Sequence, residues 1–268
     1  MTGLVANWQA RKRNAADLNP AAPVQKLRTT GSGYESVHGK DDRFAVKDVT
    51  AAPWRPLVCL QLHTGSQTGV GTGLLIAPDV ILTAAHNLFL LSSGRFIDGV
   101  TAQVGLKNGA PAAELRVSRV EVCPGYNNLS GPDDPRRFML DFGLARLPGN
   151  ALHKWAGTAV DVLAQPPLSD TELLKSWLNV AGYPLEGGGP LVLKSCDGPV
   201  KPETLSAANF GYEMDSLPGQ SGGPVFRYHP ESKAVIFAGV HVAGDSDKNI
   251  ARRYDASMRQ QLRAWIAP

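Results

Sequence analysis

From about residue 55 onward, short apolar runs alternate with turn residues, a spacing that predicts strands rather than long helices. The runs are Leu57 to Leu62, Gly73 to Ile76, Val80 to Thr83, Val100 to Leu106, Leu115 to Val122 and Phe138 to Leu147. A second set comprises Leu178 to Gly182, Pro190 to Lys194, Pro224 to Tyr228, Ala234 to Val242 and Asn249 to Arg253. About eleven closely spaced strands predict a barrel or sandwich. Within Leu115, Val117, Val120 and Val122 the alternation skips one residue, which a β-bulge would explain.

Two stretches carry the helical period. One is Thr171 to Leu178; the other is Asp255 to Ile266, where Met258, Leu262, Trp265 and Ile266 line one face behind an Asp255 cap. The second is expected to pack on a barrel. No internal repeat is visible, yet two strand groups joined around residues 150 to 175 fit two similar halves, 46–155 and 156–268. Residues 1–45 are polar and turn-rich, without either periodicity, and read as an N-terminal extension or propeptide.

Composition narrows the class. With 268 residues, 43% of them hydrophobic and 19% charged, the chain can bury a substantial core. Its 28 Gly and 20 Pro favour turns over an all-helical bundle. The formal charge is +3, and basic residues occur only in short groups such as Arg11 to Arg13, Arg136-Arg137 and Arg252-Arg253. Nucleic-acid binding calls for a longer basic stripe, so no nucleic-acid partner is expected. No apolar run approaches the ~18 residues of a membrane span, and residues 1 to 30 hold no apolar signal-peptide core. The expectation is a cytoplasmic location, or secretion if a leader precedes the sequence.

The three cysteines, Cys59, Cys123 and Cys196, are odd in number and show no Cys-x-x-Cys spacing. This argues against a disulfide framework and a zinc site, and leaves free structural thiols. No pair among the six histidines stands at i, i+4. Neither a metal nor any other cofactor is expected.

Three segments carry candidate chemistry. In Leu82-Thr83-Ala84-Ala85-His86 a strand runs into a histidine; in Asp141-Phe142-Gly143-Leu144 an acid is embedded in apolar sequence, where an ionised carboxylate must find donors. The Asp-Phe-Gly triplet also occurs in protein kinases, but no His-Arg-Asp catalytic loop accompanies it here. The third segment, Gly219-Gln220-Ser221-Gly222-Gly223-Pro224, is the most specific. A serine hydroxyl needs a base to become a nucleophile, and flanking glycines let backbone N–H groups turn toward a developing oxyanion. Gly219-x-Ser221-x-Gly223 also fits the nucleophile elbow of α/β-hydrolases, whose triad runs Ser, acid, His. Only Glu231, before His241, could supply that acid here, and the alternating βα texture is missing.

The order His86, Asp141, Ser221 suits the chymotrypsin arrangement, and over about Asp42 to Ile266 the chain resembles trypsin-like serine peptidases, most of all their glutamyl endopeptidase branch. Asp42-Arg43 with Thr50, Gly182-Tyr183-Pro184 and Gly239-Val240-His241 are similar to secondary landmarks of that branch. The resemblance implies an all-β fold of two antiparallel six-stranded β-barrels with a C-terminal helix and an active site in the cleft between them. It makes Ser221 the nucleophile, His86 the general base, Asp141 its orienting acid, and the N–H groups of Gly219 and Ser221 the oxyanion hole. The implied activity is hydrolysis of protein or peptide substrates through an acyl-enzyme.

Departures also matter. Animal trypsins carry an Asp immediately before the nucleophile to capture a new N-terminus; this chain has Gln220. Asn87 stands where a disulfide-forming Cys is common. Specificity is pulled two ways. His241 and Ser216 match the branch's histidine and hydroxyl for an acidic side chain, whereas Asp215 lies six residues before Ser221, the spacing of the trypsin acid that binds Arg or Lys. A catalytically silent binding module on the same fold is the remaining alternative, and no regulatory partner is legible.

Overall fold

The apolar runs become strands of two antiparallel sheets in the computed structural model, which describes residues 5–7 (backbone only), 36–149 and 159–266. The first sheet contains β1 (Val5–Asn7), β3 (Leu57–Thr64), β4 (Gln67–Ala77), β5 (Val80–Thr83), β8 (Gly99–Val104), β9 (Ala113–Arg116), β10 (Arg119–Val122) and β11 (Gly143–Arg146). The second contains β2 (Phe44–Ala45), β12 (Trp177–Gly182), β13 (Lys194–Lys201), β14 (Asn209–Tyr212), β15 (Pro224–His229), β16 (Ala234–Gly244) and β17 (Asn249–Arg253). A small hairpin joins β6 (Phe89–Leu90) to β7 (Arg95–Phe96). Among the described residues the α-helices are α1 (Arg137–Leu140), α2 (Asp170–Leu174) and α3 (Ala256–Ile266).

The second sheet closes. Its order β12-β15-β16-β17-β14-β13 returns to β12, giving a six-stranded barrel with β2 added at β13. The first sheet, β1-β10-β11-β5-β4-β3-β8-β9, is a curled half-barrel whose end strands β1 and β9 do not pair. Leu178, Val180, Cys196, Phe210, Val225 and Ala251 fill the closed barrel, each at most 1% exposed. Burial contributes about 1.5–3 kcal/mol apiece for the Val, Leu and Phe side chains among them, and less for Cys196 and Ala251.

α3 covers the outside as its pattern predicts: Met258 and Leu262 are buried, and the Asp255 carboxylate accepts the Met258 N–H at 2.7 Å, capping the first turn. α2 opens on a capping box between Ser169 and Glu172, but ends at Leu174, so that Trp177 already starts β12.

Several expectations are corrected. The skip between Leu115 and Val122 is no bulge: β9 ends at Arg116 and β10 begins at Arg119. Between them Val117 N–H bonds Val100, on β8, while Ser118 N–H bonds Arg146, on β11, so the chain changes ladders at that corner. Phe138 to Leu147 divides into α1 and β11 around Asp141. Pro190 to Lys194 is irregular up to Leu193, and the strand it announced is β13. Gly198 and Pro199 hid β13, although Cys196, Gly198 and Val200 alternate inward with Asp197 and Pro199 outward. β14 went unpredicted because Asn209 and Gly211 leave only two large apolar residues in it.

The N-terminal stretch is less detached than its composition suggests. Val5–Asn7 pairs antiparallel with β10, and residues 36–45 lie along the closed barrel. The rest of residues 1–45, and the boundary at 155/156, lie outside the described residues.

Candidate active site

β5 and β11 are antiparallel neighbours with Thr83 opposite Gly143. The end of one therefore adjoins the start of the other, and His86 and Asp141 lie just beyond that pair. A Cβ at Gly143 would crowd the Glu121 carbonyl and the Leu88 side chain, so glycine permits this close approach. The Asp141 carboxylate is 1% exposed and receives His86 twice, from the backbone N–H at 2.9 Å and from Nδ1 at 2.7 Å. A carboxylate only accepts, so Nδ1 carries the proton and the Nε2 lone pair lies on the other side of the ring.

Ser221 lies in the turn before β15, and its backbone is tied to the first sheet. The Ser221 carbonyl accepts Thr72 N–H at 2.8 Å and the Asn87 side-chain amide at 2.9 Å. Asn87 also donates to Thr83 Oγ1 at 3.0 Å, and Thr83 Oγ1 donates to the Thr72 carbonyl at 2.7 Å. Thr72 Oγ1 donates to the Gly219 carbonyl at 2.8 Å while accepting Tyr183 N–H at 2.9 Å. This buried polar network fixes the Ser221 turn beside the His86 turn. Gly219 and Gly222 have φ of +103° and +85°, and a Cβ at Gly219 would collide with the Tyr183 carbonyl. Both positions need glycine to make the turn.

Thr72 and Asn87 are the contributors that motif reading passed over as functional. A polar residue fully buried in a glycine-rich strand, and an amide immediately after the histidine, were the available signals. The Asn87 amide thus ties the Thr83 hydroxyl to the Ser221 carbonyl through hydrogen bonds alone. The three cysteines are free and buried, and burial, followed by the neighbouring Asp42, pushes the Cys196 thiol up to about 12.

No family model matches the chain. It is 28% identical to the glutamyl endopeptidase of Bacillus licheniformis over 272 residues, covering 95% of this chain and 74% of that one. The chain is a glutamyl endopeptidase homologue. Its fold matches a solved Glu endopeptidase bound to MPD with a TM-score of 0.71, at 21% identity, over 87% of this chain and all of the other. It also matches the protease Anisep from Arthrobacter nicotinovorans, with a TM-score of 0.62, at 18% identity, over 84% of this chain and all of the other.

In this glutamyl endopeptidase homologue the residues named for specificity have different surroundings. His241 is fully buried, with Nδ1 2.6 Å from the Tyr212 hydroxyl, and the β16–β17 register shifts between His241 and Ala243. Ser216 Oγ donates to Asn249 Oδ1 at 2.9 Å. Asp215 is 2% exposed, and its two oxygens accept the backbone N–H groups of His38 at 2.6 Å and Asp42 at 3.0 Å. That carboxylate grips the N-terminal segment. The same segment lays the Ser36 backbone on Asn249 and Ser216: Ser36 N–H donates to Asn249 Oδ1 at 3.1 Å, and the Ser36 carbonyl accepts Ser216 N–H at 3.1 Å.

Proposed function

We propose that this serine endopeptidase homologue cleaves peptide bonds on the carboxyl side of Glu or Asp, with Ser221, His86 and Asp141 as its catalytic residues. In this reading Ser221 Oγ attacks the scissile carbonyl as His86 Nε2 removes its proton, and Asp141 stabilises the imidazolium. The N–H groups of Gly219 and Ser221 receive the oxyanion, and one such donor typically lowers the barrier by ~3–4 kcal/mol. His86 then returns the proton to the leaving amine. Water, activated by the same imidazole, releases the acyl group from Ser221.

The observation that carries the specificity is the position of Asp215. A carboxylate that already accepts two backbone N–H groups in a buried setting supports a structural role in place of one receiving Arg or Lys. His241 and Ser216 supply an imidazole and a hydroxyl suited to a carboxylate. A peptide library varying the residue before the scissile bond tests this. Cleavage after Glu or Asp, lost in Ser221→Ala and reduced in His241→Ala, is the expected result. Preference for Arg or Lys, lost in Asp215→Ser, would reverse the assignment, and a folded protein that cuts nothing would be the silent binding module.

A further inference from the structure

Gln220 stands between the two residues whose N–H groups form the proposed oxyanion hole, so the peptide planes on either side of it decide where those groups point. Gly219, at φ +103°, places no side-chain restraint on that geometry. The restraint comes from Gln220, which is fully buried. Its Oε1 accepts Leu217 N–H at 3.0 Å and Arg43 Nη1 at 3.2 Å.

Arg43 is built into this position. Its side chain is 1% exposed, and Asp41 holds it with two hydrogen bonds, from Nε at 2.9 Å and from Nη2 at 2.7 Å. Glu186 lies 2.6 Å from Nη2 and is itself paired with Lys194 at 2.6 Å. One guanidinium thus joins three pieces of chain: the N-terminal segment, the loop after β12, and the residue preceding Ser221. That loop also reaches the oxyanion turn directly, because Leu185 N–H donates to the Pro218 carbonyl at 2.7 Å. A planar cation with several donors in fixed directions suits such a junction, where a lysine could not serve all three partners in the same geometry.

We propose that Arg43 is a positioning residue that latches the oxyanion turn through Gln220, so that the turn is ordered without a newly freed N-terminus. Animal trypsins obtain the cation for the residue before the nucleophile by cleaving the chain. Here an internal side chain provides it, on a segment that Asp215 also grips. Order of the oxyanion turn is thereby separated from any processing upstream of Ser36. The inference rests on the serine-peptidase reading above.

The test uses the full chain and two readouts: the rate of labelling by a fluorophosphonate, which does not depend on the specificity pocket, and kcat and KM on the preferred peptide. Gln220→Leu removes the acceptor but leaves the Arg43 carboxylate partners in place. It is expected to lower labelling and kcat by about 10²-fold with KM little changed, and to lower the thermal midpoint as well, because Leu217 N–H and Arg43 Nη1 lose a buried acceptor. Gln220→Glu, which keeps an acceptor for the guanidinium, is expected to recover most of that loss, and Arg43→Lys to recover less. A Gln220→Leu protein labelled at the wild-type rate would overturn the latch, as would a Gln220→Glu protein no faster than the Gln220→Leu protein. A second arm blocks cleavage before Ser36 with Glu35→Gln; the intact chain is expected to label as fast as any processed form. Labelling more than about 10²-fold slower in the intact chain would assign the ordering to the new N-terminus instead. Failure of the wild-type protein to label or cleave under any condition would remove the underlying peptidase reading, an outcome distinct from either of these.

Discussion

The Asn87 side-chain amide donates to the Ser221 carbonyl at 2.9 Å, so the residue following the proposed base holds the backbone of the proposed nucleophile. Asn87 lies in the turn after β5 of the first sheet and Ser221 in the turn before β15 of the second, so the bond ties together the two halves of the site. Replacing Asn87 by Ala would leave buried acceptors short of a donor, which typically costs about 1–3 kcal/mol. The expected result is a lower thermal midpoint together with a kcat loss of about 10-fold or more, KM being less affected. A variant with wild-type kcat and only reduced stability would limit Asn87 to a structural role.

The proposed catalytic residues make a sharper prediction. Ser221→Ala, His86→Ala and Asp141→Asn should each leave a folded protein whose activity is reduced roughly 10⁴-fold or more. Asp141→Asn is informative because its amide would confront His86 Nδ1 with a donor as well as an acceptor and so favour the wrong tautomer. Unaltered turnover in a purified, folded Ser221→Ala protein would remove it as nucleophile.

How much of this was legible beforehand differs by residue. His86, Asp141 and Ser221 stood out because each lies at a strand end or turn in a distinctive local pattern, and the β5–β11 register then joins the first two. Thr72 could not be found in this way, since its partners, Gly219 and Tyr183, lie more than a hundred residues away and no local pattern encodes them. Asp215 was ambiguous for the same reason: spacing located it, whereas its direction depends on the amides of residues 38 and 42. Strands rich in branched residues, such as Val80–Thr83, were readable, but β13 was obscured by its own Gly and Pro. The closure of one sheet and the openness of the other depend on long-range pairing that alternation alone does not specify.

Thiol chemistry follows from burial. The Cys123 and Cys196 thiols are each pushed up to about 12, mainly by desolvation, and the Cys59 thiol higher still by desolvation alone. Because the thiolate is the reactive form, a disulfide reagent at pH 8 should label none of the three in the native protein and all three after denaturation. Rapid native labelling of one equivalent would show that one of these sites opens readily.

The Arg43–Asp41 pair gives a pH dependence with a definite sign. The Arg43 hydrogen bond holds the Asp41 carboxyl at about 2, below its ordinary 3.8. A group depressed on folding stabilises the native state above its unfolded value, and this contribution fades as pH falls toward about 2. Asp41 is 42% exposed, so solvent screening limits the effect to about 1 kcal/mol or less. Denaturant titrations at pH 5 and pH 2.5 should therefore show a smaller acid-induced loss in Asp41→Asn than in wild type. An identical loss in both proteins would mean the pair carries no pH-dependent stability.

Processing of the chain gives the last prediction. Glu35 immediately precedes Ser36, whose N–H donates to Asn249 Oδ1 beside Ser216. A peptidase selective for glutamate would accept its own Glu35–Ser36 bond as a substrate, and the cut would leave an ammonium group at a site already lined with hydrogen-bond acceptors. That positive charge would add to Ser216 and His241 in holding an acidic substrate side chain, so cleavage should lower KM for Glu peptides while leaving the fluorophosphonate rate unchanged. N-terminal sequencing of the active protein is expected to return Ser36, and Glu35→Gln is expected to retain the full N-terminus and show the higher KM. If sequencing always returned Met1 or Thr2 in protein with full activity on Glu peptides, the new amine would have no part in specificity, and His241 and Ser216 would have to provide it alone.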